Sequence, residues 1–238
     1  MRIDTYFTVE EFDPATLDGA VVAVVDVVRA TTTLVEALAN GARGIYPTAS
    51  TEEAVKLAHS LGREDTLLCG ERKGSKVAGF DLGNSPREFT REAVQGKRLV
   101  MSTTNGTRAL TKGQHGTRVL PCAFTNLSAV ARSVGDADRL VVLCAGREGR
   151  FTLDDALCAG HLVRRVHGER ECILNDASQA AGAWAGFRKP TRKFLETTEG
   201  GRALVEIGLG DDLEICAEVD RHDIVAELRD QVIVRAGD

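Results

Sequence analysis

The chain has 238 residues, with 30 Lys+Arg against 35 Asp+Glu, so its formal charge is −5. That length buries a sizeable core, and a composition near globular averages excludes a disordered chain. The acidic balance argues against a general nucleic-acid binder but leaves room for small anions held by local charge.

Arg2–Phe7 reads as a first strand. Ala20–Val25 is an apolar, β-branched run of the kind buried on both faces of a sheet. Its extension to Val28 contains Asp26 and is too short to span a bilayer. A helix is expected over Thr32–Asn40, stopping at Gly41, then a strand at Gly44–Pro47. Ser50 and Glu53 form a capping-box pattern for a helix through Leu61, followed by a strand at Thr66–Cys69. Gly70–Asn84 is Gly-rich and aperiodic. Ser85-Pro86-Arg87-Glu88 carries the marks of a helix start. Strands at Leu99–Met101, Val119–Cys122 and Arg139–Ala145 alternate with helices beginning at Thr107 and spanning Asn126–Val134 and Leu153–Val166. Ala177–Gly186 and Glu199–Ile207 read as helices and Val232–Val234 as a last strand.

This alternation predicts an α/β fold in three layers, α/β/α, around a largely parallel or mixed sheet. No linker divides the chain, so residues 1–238 are expected to form one domain. Met1-Arg2-Ile3-Asp4 lacks a signal-peptide pattern, and the six cysteines are scattered without CxxC or zinc spacing. A cytoplasmic protein with mostly buried thiols is expected, with no membrane or nucleic-acid partner. Size and class are compatible with a homodimer. Trp184, in the Ala180–Gly186 stretch, is expected to pack in the core.

Ligands of such sheets sit beyond the carboxyl ends of the strands, so the segments there carry the chemistry. Asp26 and Thr31–Thr33 either cap the next helix or supply a metal-binding carboxylate, with Arg29 alongside for an anion. Val28 and Ala30 stand where a haloacid-dehalogenase motif needs a carboxylate and a hydroxyl, which rejects that family. Glu71, Asp81 and Asn84 offer oxygens for a hard cation, Arg72 and Lys73 charge for an anion, and a mobile loop is the plain alternative. Ser102-Thr103-Thr104-Asn105-Gly106-Thr107 is rich in hydroxyls before a helix start and reads as an anion cradle, though not the Gly-x4-Gly-Lys pattern. Cys144-x5-Arg150 has the spacing of a cysteine-phosphatase loop, but Phe151 follows the arginine and Glu148 sits inside the loop. Asp154 and Asp155 either suit a helix N-terminus or bind metal. Histidines lie outside these segments, which weighs against zinc or His acid–base chemistry. The residues alone thus reach a Mg²⁺ site beside a polyanion-binding surface.

The stretches VVDVVRATTT (24–33), GERKG (70–74), GFDLGNSP (79–86), STTNGT (102–107) and CAGREGRFTLDDALCAG (144–160), in this order, resemble the 2-phosphosulfolactate phosphatase family. Gly208–Asp220 is a weaker match. Leu153-Asp154-Asp155 departs from an expected Glu-Asp. The resemblance implies a three-layer α/β fold and Mg²⁺-dependent hydrolysis of 2-phospho-3-sulfolactate, or a related phosphorylated 2-hydroxy acid, as a step of coenzyme M biosynthesis. On that reading Asp26, Glu71, Asp81 and Asp155 are metal candidates. Arg29, Arg72 and Arg147 neutralise substrate anions, Ser102–Thr107 binds an anionic group, and Asp26, Arg29 and Asp155 serve catalysis. Two alternatives are a cysteine mechanism through Cys144 and Arg150 and a non-catalytic phosphometabolite binder.

Overall fold

The computed structural model describes residues 1–237. Its elements are β1 (Arg2–Tyr6), β2 (Val21–Val25), α1 (Ala30–Ala39), β3 (Gly44–Pro47), α2 (Thr51–Leu61), β4 (Thr66–Arg72), β5 (Ser75–Lys76), α3 (Arg91–Val94), β6 (Arg98–Ser102), α4 (Gly106–Gly113) and β7 (Arg118–Cys122). There follow α5 (Leu127–Ser133), β8 (Arg139–Cys144), α6 (Leu153–Glu169), β9 (Ile173–Leu174), α7 (Asp176–Ala185), α8 (Arg192–Leu195), α9 (Glu199–Glu206), α10 (Asp212–Ala217), β10 (Ala226–Arg229) and β11 (Val232–Arg235). The α/β class and the mixed sheet agree with the alternation in the sequence.

The sheet order is β5-β4-β6-β3-β11-β10-β7-β2-β8-β1-β9. Two parallel blocks, β4-β6-β3 and β7-β2-β8-β1-β9, are joined by the antiparallel hairpin β10–β11. That hairpin holds each block by a single register pair, Leu228 with Val119 and Ile233 with Ile45. From β4 to β2 is six strand spacings, about 29 Å across a flat sheet at ~4.8 Å each. Yet Glu71 of β4 and Asp26 beyond β2 line one cavity, so the two blocks fold toward each other.

The alternation of β2 explains its complete burial. Val21, Ala23 and Val25 face a core shared with α5 and α6. Val22 and Val24 face a second core shared with α1, α4 and residues of β3 and β6. A smaller core lies under α2, around Ala54, Ala58 and Val100. Every residue of helix α1 from Ala30 to Leu38 is buried. Its threonines are absorbed locally: Thr31 Oγ1 donates to the Asp26 carbonyl, Thr32 Oγ1 to Val27 and Thr33 Oγ1 to Asn84.

Ser50 caps α2 as expected, accepting from the Glu53 N–H at 3.1 Å. Ser85 does not open a helix. Only a 3₁₀ turn follows, because its hydroxyl donates to Asp212 instead, at 2.6 Å. The Gly70–Asn84 stretch is not a mobile loop; it contains the β4–β5 hairpin, paired through Glu71–Lys76 and Arg72–Ser75. All six cysteines are free, five of them buried. Trp184 packs edge-on against Phe194, 5.7 Å between ring centres, at the margin of the first core. Among the described residues no helix is long and apolar enough to cross a membrane.

Two glycines of α6 separate packing from propensity. A Cβ at Gly160 would run into the Ala181 carbonyl of α7, whereas one at Gly168 would meet nothing within 4 Å. Gly160→Ala is expected to lower Tm by about 5 °C or more, the cost of overpacking against rigid backbone. Gly168→Ala is expected to raise it by about 1–2 °C. Thermal unfolding of the two variants checks both signs.

Candidate active site

Asp26 leaves the carboxyl end of β2 and meets two helix N-termini. Its Oδ1 accepts from the Ala30 N–H at 3.1 Å, in the first turn of α1. Gly106, the first residue of α4, lies so close that a Cβ there would sit 2.9 Å from Asp26 Oδ2. Both helix dipoles favour a negative charge at this point. Burial opposes it and dominates. The Asp26 carboxyl is pushed up to about 7, first by burial and then by the charges of Asp154 and Glu71, against the Ala30 N–H and Arg29. Asp154, in the first turn of α6, is raised to about 6 by burial, opposed by its own N–H, the Thr152 hydroxyl and Arg147. Its Oδ1 is buried without a hydrogen-bond partner.

Asp155 has a different position. Its Oδ1 accepts from the Val27 N–H at 2.8 Å and its Oδ2 from the Gly146 N–H at 3.1 Å. It therefore ties the segment after β2 to the segment after β8. Burial, then Asp154 and Asp26, push its carboxyl well above the usual range. Glu71 is a second tie: Oε1 accepts from the Thr104 N–H at 2.8 Å and Oε2 from the Gly74 N–H at 2.7 Å. It joins the β4–β5 hairpin to the segment after β6.

Arg29 follows a cis Val28–Arg29 peptide bond and is buried. Its Nη1 pairs with Asp212 Oδ2 at 2.7 Å and its Nη2 donates to the Gly74 carbonyl at 2.6 Å. Gly74 is thus held from both sides. Lys73 and Gly74 form the hairpin turn with φ of +53° and +83°, the left-handed pair that a two-residue hairpin requires.

The hydroxyl-rich segment divides in its use. Thr103 and Thr107 cap α4 reciprocally: the Thr107 N–H donates to Thr103 Oγ1 at 3.1 Å and the Thr103 N–H to Thr107 Oγ1 at 3.2 Å. Ser102 is buried and accepts from Arg72, through Oγ at 2.9 Å and the carbonyl at 3.2 Å. Arg72 and Ser102 therefore hold β4 against β6 and stay out of the cavity lining. Thr103, Thr104 and Asn105 do line the cavity, with Asn105 Oδ1 accepting from the Glu148 N–H at 3.2 Å.

The cavity opens to solvent, and its non-atom space, the open mouth included, is about 630 Å³. Asp26, Arg29, Glu71, Lys73, Asn84 and Arg147 form its polar lining, and Gly200, Ala203, Leu204 and Ile207 of the α9 region its apolar wall. A deeper compartment contains Asp154, Asp155 and Thr152 and shares Asp26, Asn105 and Arg147 with the outer one. Among the described residues no ion pair engages Arg147, which lines both compartments.

Two expectations are corrected. Asp81 lies away from the cavity, paired with Arg63 at 2.9 Å and accepting from the Leu68 N–H at 2.7 Å. Cys144 ends β8 fully buried in a core, its thiol pushed well above the ordinary value by burial and by Asp155. Arg150 is exposed and outside the cavity. A buried, protonated thiol with no route to substrate is no nucleophile. The residues that sequence reasoning passed over are Asp212, which holds Arg29, and the α9 wall. Asp154 and Asp155 carry the same expectation of metal binding, and the structure separates them. Of the pair, Asp154 is the one with an oxygen free of protein donors.

That oxygen bears on a cation. Glu71 and Asp155 have both carboxylate oxygens on backbone N–H groups, whereas Asp26 Oδ2 and Asp154 Oδ1 meet no protein donor. Among the described residues no three His, Cys, Asp or Glu side chains form a cage by themselves. Mg²⁺ is usually bound by one or two carboxylates with water and substrate oxygens completing its shell, so this donor set fits it.

The raised Asp26 carboxyl has a measurable sign. Its ionisation costs stability as pH rises from about 4, the unfolded value, to about 7 in the fold. Asp26→Asn in EDTA should therefore raise Tm by about 5 °C at pH 8. The gain should shrink as pH falls toward 5, and scanning calorimetry across that range checks it.

Comparison with known proteins identifies the family. A family model described as 2-phosphosulpholactate phosphatase matches residues 6–231. A probable 2-phosphosulfolactate phosphatase of Caldanaerobacter subterraneus subsp. tengcongensis is 35% identical over 237 residues, 98% of each chain. One from Clostridium perfringens is 36% identical over 233 residues, covering 96% of this chain and 94% of its own. One from Gloeobacter violaceus is 41% identical over 226 residues, 92% of each. The chain belongs to the 2-phosphosulfolactate phosphatase family, a family of phosphoric monoester hydrolases.

Proposed function

We propose that this protein hydrolyses 2-phospho-3-sulfolactate, or a closely related phosphorylated 2-hydroxy acid, to the hydroxy acid and inorganic phosphate, using Mg²⁺. Within a cell, this places it in the cytoplasm at a step of coenzyme M biosynthesis. The names of the relatives support the substrate class. The observation that carries the chemistry is the Asp26–Asp154 pair, buried at helix N-termini beneath an unpaired Arg147.

Asp26 and Asp154 would hold Mg²⁺. The ion would supply Lewis-acid neutralisation of phosphoryl charge. The chain itself provides the positioning. Arg147 borders both compartments and neutralises the phosphoryl oxygens, with the N-terminal turn of α4 adding positive potential. Asp26 Oδ1 stays anchored on the Ala30 N–H while Oδ2 faces the cavity and orients a water for in-line attack on phosphorus. The water–phosphorus bond forms as the bond from phosphorus to the C2 oxygen breaks. The water proton passes to solvent and an equivalent proton from solvent reaches the leaving oxygen, so the residues end unchanged. Asp155, Glu71 and the Arg29–Asp212 pair hold the loops in register. Phosphoryl transfer needs mainly this positioning and charge neutralisation. A pure binding protein would gain nothing from two buried carboxylates beside its anion, which disfavours that reading.

Phosphate release from 2-phosphosulfolactate should require Mg²⁺ and stop in EDTA. Asp26→Asn should lose about 10³-fold or more in kcat, while Cys144→Ser should stay within about threefold of wild type. Release in EDTA, or full activity of Asp26→Asn, would contradict the proposal. Protons compete for raised carboxylates, so the Mg²⁺ affinity measured by calorimetry should fall roughly tenfold or more from pH 8 to pH 6.

A further inference from the structure

The inner compartment holds more polar atoms than the chemistry above uses. Besides Asp26, Asp154 and Arg147 it is lined by Thr152, the residue that opens α6. Resting on the reading above, we propose that Thr152 is a further catalytic residue, whose hydroxyl oxygen is a second acceptor that, with Asp26 Oδ2, orients the attacking water.

The capping pattern is the first support. Thr152 occupies the N-cap position of α6, where a hydroxyl ordinarily accepts from an N–H of the first turn. Ser50, Thr90, Thr191 and Thr198 all make that bond at the starts of their helices, and the Thr152 side chain does not. Ser85 also forgoes its cap, but its hydroxyl goes to Asp212. The Thr152 hydroxyl bonds to no protein atom, although the residue is only 7% exposed. A buried hydroxyl without a partner is costly unless a ligand or water meets it. Thr66 and Thr125 also have buried, unpartnered hydroxyls, yet neither lines the cavity. Thr152 shares its compartment with Asp26 and Asp154, each of which has an oxygen that meets no protein donor. Three unsatisfied side chains therefore border one space of about 280 Å³, its opening included. That space admits a water beside a phosphoryl group, since a water takes up about 30 Å³.

Donor and acceptor roles select water as the partner. The Thr152 hydroxyl lies beside the Asp154 carboxylate, whose charge attracts the hydroxyl hydrogen and leaves the oxygen lone pairs to the compartment. An ionised phosphoryl group only accepts hydrogen bonds and cannot meet lone pairs, whereas a water has two hydrogens to give. One goes to Asp26 Oδ2 and the other to Thr152 Oγ1, which leaves a water lone pair for phosphorus. Thr152 takes up no proton. As the water–phosphorus bond forms and the bond from phosphorus to the C2 oxygen breaks, the water proton leaves for solvent and the hydroxyl ends as it began.

Thr152→Val removes the hydroxyl at nearly constant shape and has no cap to lose. With 2-phosphosulfolactate and Mg²⁺ it should lower kcat about tenfold or more and leave KM within about threefold, and Thr152→Ser should recover most of the loss. Its Tm should stay within about 1 °C of wild type, where loss of a working cap would cost about 2–4 °C. Calorimetric affinities for Mg²⁺ and for inorganic phosphate should each change less than about threefold. An unchanged kcat, a Tm loss of cap size, or a tenfold loss of Mg²⁺ or phosphate affinity would overturn the assignment, the last by giving the hydroxyl to the cation or the phosphoryl group. Absence of phosphate release from wild type would count against the proposed activity and take this role with it, whereas an active wild type with an unaffected Thr152→Val removes only the role of Thr152.

Discussion

The structure depends on carboxylates buried together at the ends of parallel strands. Asp26, Asp154 and Asp155 share one water-poor region, and burial raises all three. Such an arrangement costs stability wherever the groups ionise, and only helix N-termini, backbone N–H donors and nearby arginines offset that cost. Natural proteins keep destabilised groups of this kind where function needs them. The Asp26 Oδ1 contact with Ala30 and the close approach of Gly106 show how two helices are aimed at a single carboxylate.

The remaining charged residues around the cavity are mostly ties. Asp155 joins the segments after β2 and β8, Glu71 joins the β4–β5 hairpin to the α4 start, and Arg29 joins the hairpin to Asp212 of α10. Each tie joins segments distant in sequence, and together they hold the strand ends around the cavity. This division separates residues that hold the site from residues free to meet a ligand. Arg147, Thr152, Asp26 Oδ2 and Asp154 Oδ1 are in the second group. Supporting groups with all their hydrogen bonds satisfied are what keeps a site within catalytic tolerance.

Much of the architecture was legible because its signals are local. The β2 run, the Ser50 cap and the strand–helix alternation depend on period and capping chemistry, and each appears where expected. The carboxyl-end rule led from Val25 to Asp26 and from Cys144 to Arg147. Tertiary choices were not legible. Ser85-Pro86 has every mark of a helix start, yet Asp212, 127 residues away, takes the hydroxyl. Asp81 sits in a promising motif but is claimed by Arg63. Asp154 and Asp155 are adjacent and chemically alike; only the fold decides that one ties loops while the other keeps an oxygen free. Cys144-x5-Arg150 has suggestive spacing, but β8 buries the thiol in the core. Spacing along a chain does not report which face of a strand points to solvent.

The central claim is that Asp26 and Asp154, rather than Asp81 or Cys144, form the working centre with a divalent cation. Anomalous diffraction from crystals soaked in Mn²⁺, a stand-in for Mg²⁺, tests this most directly. The account predicts one peak about 2–2.5 Å from carboxylate oxygens of both Asp26 and Asp154. A peak at Asp81, or an ion elsewhere with none at this pair, would contradict it.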